Sequence, residues 1–434
     1  MAAEETRLGR CAELGLTVMP THPAPEVSTV TSQLISARVR RIKPSPSSTA
    51  ADRAAELQRQ GHSIISLVVG EPDFDTPAHI GKAAAEAIER GETRYTQNTG
   101  TPALRAAIAD KFRRENGLEI DPARIVVTTG AKSAIFNALL ATLEAGDEVL
   151  IPAPYWVSYP DMVLACDGTP VIVPCGEDTG FKLRPEMLAA AITPKTRWLV
   201  LNSPSNPSGA SYSAEEWRGI LDVLLEHPHV WLMTDEIYEH IRYAHADTPH
   251  PLLIEPALRE RTLIINGVSK TYAMTGWRIG YAAGPKVLID AMAILQSQST
   301  SNASSVSQAA ALAALQGDQS FIADSVAVYR ERRDRVVGWI NAIPGLHCVL
   351  PEGAFYVYVG CAGAIGRQAP DGRLMTSDED VVMYLLEAAG VAVVAGTAYG
   401  LSPYFRLSTA ASLETLREGC ERIGRALGAL QPVK

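Results

Sequence analysis

The 434-residue sequence has no C-x-x-C pair, no apolar run approaching 18 residues and no excess of basic charge. Each absence removes a class of function. The six cysteines, Cys11, Cys166, Cys175, Cys348, Cys361 and Cys420, are scattered. That spacing argues against a zinc site and against a disulfide framework. Reduced, mostly buried thiols in a cytoplasmic protein are expected instead. Without a long apolar run there is no candidate transmembrane helix. The net charge of −9 and a pI near 5.6 speak against a general nucleic-acid binder, which needs a basic surface. Residues 1–30 carry Glu4 and Glu5 and no apolar h-region, so no secretory signal is expected there. They read as a poorly ordered extension, with Met19 as an alternative start. Internal repeats are absent, as are the G-x-x-x-x-G-K-[ST] and G-x-G-x-x-G phosphate loops.

What is present is globular. Apolar residues make up 47% and charged residues 20%, and a chain this long buries a large core without staples. Length alone allows two or three folding units. A Pro/Ser cluster, Lys43–Ser48, leads into a helix expected over Thr49–Gln60. Short apolar runs then alternate with helical patterns. Strands are expected at Ile64–Val69, Ile125–Thr129, Glu148–Ile151, Pro170–Val173, Trp198–Leu201, Val230–Thr234 and Leu263–Asn266. Helices are expected at Ala78–Glu89, Thr101–Glu115 and from Gly130 to Glu144. Strands separated by helix-length segments predict an α/β fold with a mostly parallel sheet covered on both faces. Beyond residue 320 the pattern changes. A long helix over Phe321–Asn341, strands at Phe355–Val359, Val391–Val394 and Phe405–Leu407, a helix at Asp378–Ala389 and a last helix to Leu430 predict a smaller α+β domain. The charge run Arg330–Arg335 reads as a solvated helix face.

Four segments carry chemistry. In the run Asn266–Tyr281, Lys270 follows a buried strand. A desolvated lysine has a lowered pKa and attacks carbonyls to form a Schiff base. Arg278, eight residues on, is within reach of a phosphate on the same ligand. The plainer alternative is a strand-end lysine paired with a carboxylate. Thr234-Asp235-Glu236-Ile237-Tyr238 ends an apolar run, and an Asp at the carboxyl end of a central strand stands where α/β sheets bind ligands. Such a carboxylate holds a proton on a heteroaromatic nitrogen, the partner pyridoxal phosphate needs, although a helix N-cap is an equally ordinary role. Asn202–Gly209, with two prolines and a glycine, is a stiff turn that holds the Asn206 amide in place. Thr128-Thr129-Gly130-Ala131-Lys132 is a strand–glycine–helix junction, an anion site sized for one phosphate.

Together these segments resemble the fold-type I, pyridoxal-phosphate-dependent aminotransferases of class I, and most closely the bacterial aspartate and aspartate/prephenate subgroup. The similarity runs from about Val30 to Leu430. It includes Gly70-Glu71-Pro72-Asp73-Phe74, Arg94-Tyr95-Thr96, Pro154–Tyr159 and Phe405-Arg406-Leu407-Ser408, and its most specific part is the run from Ser269 to Tyr281. The resemblance implies a large domain over 77–320 with a mostly parallel seven-stranded sheet, and a smaller domain from 31–76 and 321–434. It implies pyridoxal 5'-phosphate as cofactor, with Lys270 forming the Schiff base and then acting as general base. It further implies Asp235 on the pyridine nitrogen, Asn206 and Tyr238 on the phenolic oxygen, Trp156 against the ring, and Gly130, Ala131 and Arg278 on the phosphate. Tyr95 is implied to reach the phosphate of a neighbouring subunit, hence a homodimer with shared sites. Arg406 is implied to grip the substrate α-carboxylate, Gly70 to lie in the segment that closes over the substrate, and Lys132 to pair with a distal carboxylate of aspartate, glutamate or prephenate. No metal is implied. The chain departs from the subgroup at Ser47, Ser208, Ala395 and Thr409. A β-lyase or decarboxylase on the same fold, or an enzyme for aromatic or neutral amino acids, is the alternative. A DNA-binding regulator needs a basic domain ahead of the fold, for which the leading 30 residues are too short.

Overall fold

The computed structural model describes residues 34–44, 46–244 and 248–432. The expectations for residues 1–30, including Met19, lie outside that set, as does the Ser47 side chain. The chain divides into two compact units, residues 1–42 and 43–434. The first contains the helix Ala37–Arg41, whose Ser36 hydroxyl accepts from the Val39 N–H. Everything below concerns the second.

Seven strands form its main sheet: β1 (Ile125–Thr128), β2 (Glu148–Ala153), β3 (Thr169–Pro174), β4 (Thr196–Asn202), β5 (Trp231–Asp235), β6 (Thr262–Gly267) and β7 (Gly280–Ala283). Their order is β1-β7-β6-β5-β4-β2-β3. Strands β2 to β6 are mutually parallel, while β7 is antiparallel to both β6 and β1. Strand β1 therefore points the same way as the parallel five. All six carboxyl ends meet at one edge, where such sheets bind ligands.

Side chains alternate along each strand, and each face has its own core. Ile125 and Val127 of β1, and Leu199 and Leu201 of β4, pack with Leu104, Ile108, Phe112, Trp217, Ile220 and Ala310. Val126, Trp198 and Val200 face the other way, against Ala134, Ile135, Leu139, Leu288 and Met292. Helices thus cover both faces, which is why the strands are apolar throughout rather than alternating. Each fully buried aliphatic side chain contributes about 1.5–3 kcal/mol.

A second, antiparallel sheet has the order β10-β11-β9-β8, from β8 (His347–Cys348), β9 (Tyr356–Gly360), β10 (Val394–Ala395) and β11 (Tyr404–Ser408). It packs on the helices Ser320–Asn341, Asp378–Ala389 and Leu413–Gly428 through Val336, Ile340, Val381, Leu385, Leu416 and Ile423. The helix at Asp378–Ala389 starts with a capping box between Ser377 and Asp380.

The structure corrects several expectations. Of Ile64–Val69, only Ile65–Ser66 forms a ladder, parallel to Val391–Ala392. The run expected as one strand at Val391–Val394 is split, because the chain leaves Ile65–Ser66 and joins β11 at Val394–Ala395. The helix expected from Thr49 begins at Pro46, since a proline fits the first helical turn. No element was expected between residues 282 and 319, where the helices Lys286–Ser299 and Ser305–Gln316 lie. The charge run is not all solvated. Arg332 makes a two-pronged salt bridge to Asp73 at 2.6 and 2.8 Å and lies 5.4 Å from the Phe74 ring centroid. Arg333 is buried, donating to the Pro351 carbonyl at 2.8 Å and lying over Tyr243. Charged side chains bury this way when each proton of the guanidinium fork finds an acceptor. Among the described residues, no helix is long and apolar enough to cross a membrane.

Candidate active site

A cavity of about 300 Å³ opens at the carboxyl edge of the main sheet. Its lining includes Gly70, Ala131, Lys132, Trp156, Asn206, Asp235, Tyr238, Lys270, Arg278 and Arg406. Ten residues singled out in the sequence are therefore brought together. A larger cavity, about 1070 Å³, shares Asp235 but contains neither Lys270 nor Arg406.

The loop after β6 carries Lys270, whose Nζ donates to the Gly70 carbonyl at 2.5 Å. Burial lowers its pKa to about 8, helped by the Arg278 and Arg406 cations and opposed by Glu71 and Asp235. Asp235 ends β5 and is 4% exposed. Burial raises its carboxyl to about 6, against the hydrogen bonds from the Tyr159 hydroxyl and the Ile237 N–H that favour the anion. The Tyr159 hydroxyl donates to Asp235 Oδ2 at 2.6 Å.

Asn202, at the end of β4, fixes the stiff turn. Its Nδ2 donates to the Asp235 carbonyl at 2.8 Å, and its Oδ1 accepts from the Asn206 N–H at 2.8 Å. Asn206 Oδ1 in turn accepts from Arg406 Nη1 at 3.0 Å. Arg406 lies in β11, 3% exposed, with Nη2 donating to the Val68 carbonyl at 2.5 Å. Its Nε has no hydrogen-bond partner among the described residues. A buried guanidinium with a donor to spare is set to receive an anion.

Gly130 caps the helix α1 (Ala131–Thr142) with φ of 81°. Two glycines shape the junction. A Cβ on Gly130 would meet Arg278 Nη2 at 2.5 Å, and one on Gly280 of β7 would overlap the Gly130–Ala131 backbone. Arg278 and the first turn of α1 consequently lie side by side, and Ala131, Lys132 and Arg278 all line the cavity, a cradle for a phosphate. Lys132 Nζ sits 4.8 Å from the Trp156 ring centroid and donates to Ser158 Oγ at 3.1 Å. Burial, then the Arg278 cation, lower its pKa.

Tyr95 stands apart, 91% exposed and outside the cavity lining. Of the departures, Ala395 pairs with Phe405 in the second sheet and Thr409 is fully buried, and neither lines the cavity. Sequence reasoning assigned no role to Tyr159, Asn202 or Tyr356. Tyr356 lies two residues from Tyr358, which pairs with Arg406, so all three share a face of the sheet through a register that the sequence alone does not show.

Comparison with known proteins places the chain in a family. The family model "Aminotransferase class I and II" matches residues 62–423. The aspartate aminotransferase of Rhizobium meliloti (strain 1021) is 56% identical over 378 residues, 87% of this chain and 92% of that protein. The aspartate/prephenate aminotransferase of Cereibacter sphaeroides is 54% identical over 383 residues, 88% and 96% of the two chains. The crystal structure of the Rhizobium meliloti aspartate aminotransferase superposes with a TM-score of 0.89 at 54% identity, covering 92% of this chain and 99% of that one. Members of this family use pyridoxal phosphate. With a lysine, a buried aspartate and an anion-ready arginine around one cavity, and with that match over most of its length, the chain belongs to the class I and II aminotransferase family.

Proposed function

We propose that the cavity holds pyridoxal 5'-phosphate and moves an amino group from aspartate or glutamate to a 2-oxo acid such as 2-oxoglutarate, oxaloacetate or prephenate, in a ping-pong cycle. The observation that carries this reading is the meeting of Lys270, Asp235 and Arg406 in one cavity. The residues fit the group. Arg278 and the start of α1, which line the cavity together, suit a phosphate, and the buried Asp235 suits a cationic ring nitrogen, which restores its charge.

When bound, pyridoxal phosphate supplies a ring that accepts an electron pair from the substrate Cα and returns it. Asp235 holds the proton on the ring nitrogen. Asn206 accepts from Arg406 at Oδ1, which leaves Nδ2 to donate to the phenolic oxygen beside Tyr238. Trp156, which lines the cavity, would hold the ring by its face. Arg406 grips the substrate α-carboxylate through its fork. Lys270 moves the proton at Cα as general base. Lys132 pairs with the distal carboxylate. Gly70 closes over the substrate, and Tyr95 serves the phosphate of a partner subunit in a cytoplasmic homodimer. Residues 77–320 form the large domain in this reading, with the smaller one drawn from 43–76 and 321–434.

The test follows cofactor absorbance in half-reactions without a 2-oxo acid. Aspartate and glutamate should convert the pyridoxal form to the pyridoxamine form rapidly, and arogenate should do so if prephenate is an acceptor. Conversion mainly by phenylalanine or alanine moves the enzyme to another specificity, and ammonia released without an acceptor marks a lyase. In the same assay Lys132→Ala should slow aspartate and glutamate about 10- to 100-fold, the worth of a hydrogen bond to a charged group. Alanine should be nearly unaffected, and an equal loss for alanine counts against the role of Lys132.

Lys270 must be neutral to attack a carbonyl. With a pKa near 8, its neutral fraction rises about tenfold per pH unit below that value and levels off above it. The rate at which the protein captures added pyridoxal phosphate should follow the same curve between pH 6 and 9.5. A rate independent of pH below 8 rejects Lys270 as the capturing amine.

A further inference from the structure

Tyr356 has none of the roles above, yet it touches three residues that do. Its hydroxyl lies 2.9 Å from the Tyr238 hydroxyl. The Arg406 guanidinium sits over its ring, 4.4 Å from the centroid. Gly70 packs so closely that a Cβ there would meet the Tyr356 oxygen at 2.5 Å. Tyr356 is 1% exposed and lines the cavity. Strand β9 carries it, beside the strand that carries Arg406.

Two phenols at this distance share one hydrogen bond, and its direction matters. Each hydroxyl has one proton. If Tyr238 donated to Tyr356, it would offer only lone pairs to an anionic oxygen in the cavity. If Tyr356 donates, the Tyr238 proton is free for that oxygen. Two features select the second arrangement. The cation over the Tyr356 ring draws electron density from its hydroxyl. Burial raises the pKa of both phenols and the Arg406 charge lowers both, but their mutual contact lowers Tyr356 and raises Tyr238, which is pushed well above the usual range. The more acidic phenol is the better donor, and successive donors strengthen one another.

We propose that Tyr356 is a positioning residue: its hydroxyl donates to Tyr238 and so aims the Tyr238 proton at the phenolic oxygen of the cofactor, with Arg406 polarising Tyr356 from above. This rests on the function proposed above. It gives the carboxylate-gripping arginine a second link to that oxygen, besides Asn206. A carboxylate bound to Arg406 offsets the cation, weakens the Tyr356 donor and changes the bond from Tyr238.

The experiment is a pH titration of the visible cofactor band in the holoenzyme, for the wild type, Tyr356→Phe and Tyr238→Phe. A hydrogen bond donated to the phenolic oxygen draws charge from it and loosens the proton held at Lys270 Nζ. Tyr356→Phe keeps the ring and its stacking on Arg406, so the fold is retained. It should raise the midpoint of the band by about half a pH unit, and Tyr238→Phe should raise it further. An unchanged or lowered midpoint in Tyr356→Phe, with Tyr238→Phe shifted upward, overturns this role and leaves the proposed function standing. A wild type with no pH-dependent cofactor band overturns both.

Discussion

Replacing Lys270 with alanine should abolish amino-group transfer, a loss of about 10⁵-fold or more, or ~7 kcal/mol of barrier. The cavity holds two amines, and geometry separates them. Lys132 Nζ is engaged with Ser158 and the Trp156 ring, whereas Lys270 Nζ lies against Gly70 and has its pKa held near 8. Burial lowers the pKa of both amines, but Lys270 is the one carried by the loop after β6, the strand beside the one that ends at Asp235. Borohydride reduction of the holoenzyme followed by peptide mass analysis should find the cofactor on Lys270, and on no peptide of the variant. A variant with a near-normal rate would falsify the assignment. The depressed pKa also has a sign in stability. Between about pH 8 and the ordinary lysine value of 10.5 the unfolded chain binds the extra proton, so the protein without added cofactor gains stability as pH rises through that window. The alanine variant should lose that part of the slope in urea denaturation at pH 8 and pH 10.

Asp235→Asn should lower kcat about 10³- to 10⁴-fold, ~4–5.5 kcal/mol, while the protein still folds and binds the cofactor. The amide keeps an oxygen to accept from the Tyr159 hydroxyl, so the packing around β5 survives. It cannot carry the negative charge that keeps a ring nitrogen protonated, and without that proton the ring is a poor electron sink. Burial, with the Glu236 charge, holds the Asp235 carboxyl up at about 6 despite the hydrogen bonds it accepts, so the wild-type side chain is itself poised to lose its charge in mild acid. A cationic ring nitrogen beside it pulls the titration back down. Steady-state kinetics with aspartate and 2-oxoglutarate, with a thermal melt as the control for folding, measure the effect. A rate within tenfold of the wild type sinks the role given to Asp235.

Much of the site was legible because each of its residues sits next to a strong local signal. Lys270 and Asp235 follow apolar runs that could only be buried strands, and Gly130 and the Asn202–Gly209 turn carry glycine and proline at the ends of two more. Strand β7 gave no such signal. Gly280-Tyr281-Ala282-Ala283 is short and mostly small, and its pairing with β1 forms across a wide stretch of chain. Arg332 and Arg333 were misread for the opposite reason. A charge run on a helix resembles a wet face, and Arg330, Glu331, Asp334 and Arg335 are indeed exposed; only the arrival of Asp73, Phe74, Pro351 and Tyr243 draws Arg332 and Arg333 inward.

The sequence by itself determined which reactive groups exist and that most of them stand at the carboxyl ends of parallel strands. Hydrophobic periodicity and turn chemistry act over a few residues, and those positions need nothing more. Only the tertiary structure decided which groups touch. The Tyr159 hydroxyl reaches Asp235 across 76 residues, Tyr356 meets Tyr238 across 118, and Arg406 meets Asn206 across 200. Those meetings depend on the register of two sheets and on glycines that let backbones approach, and neither leaves a trace in the local pattern.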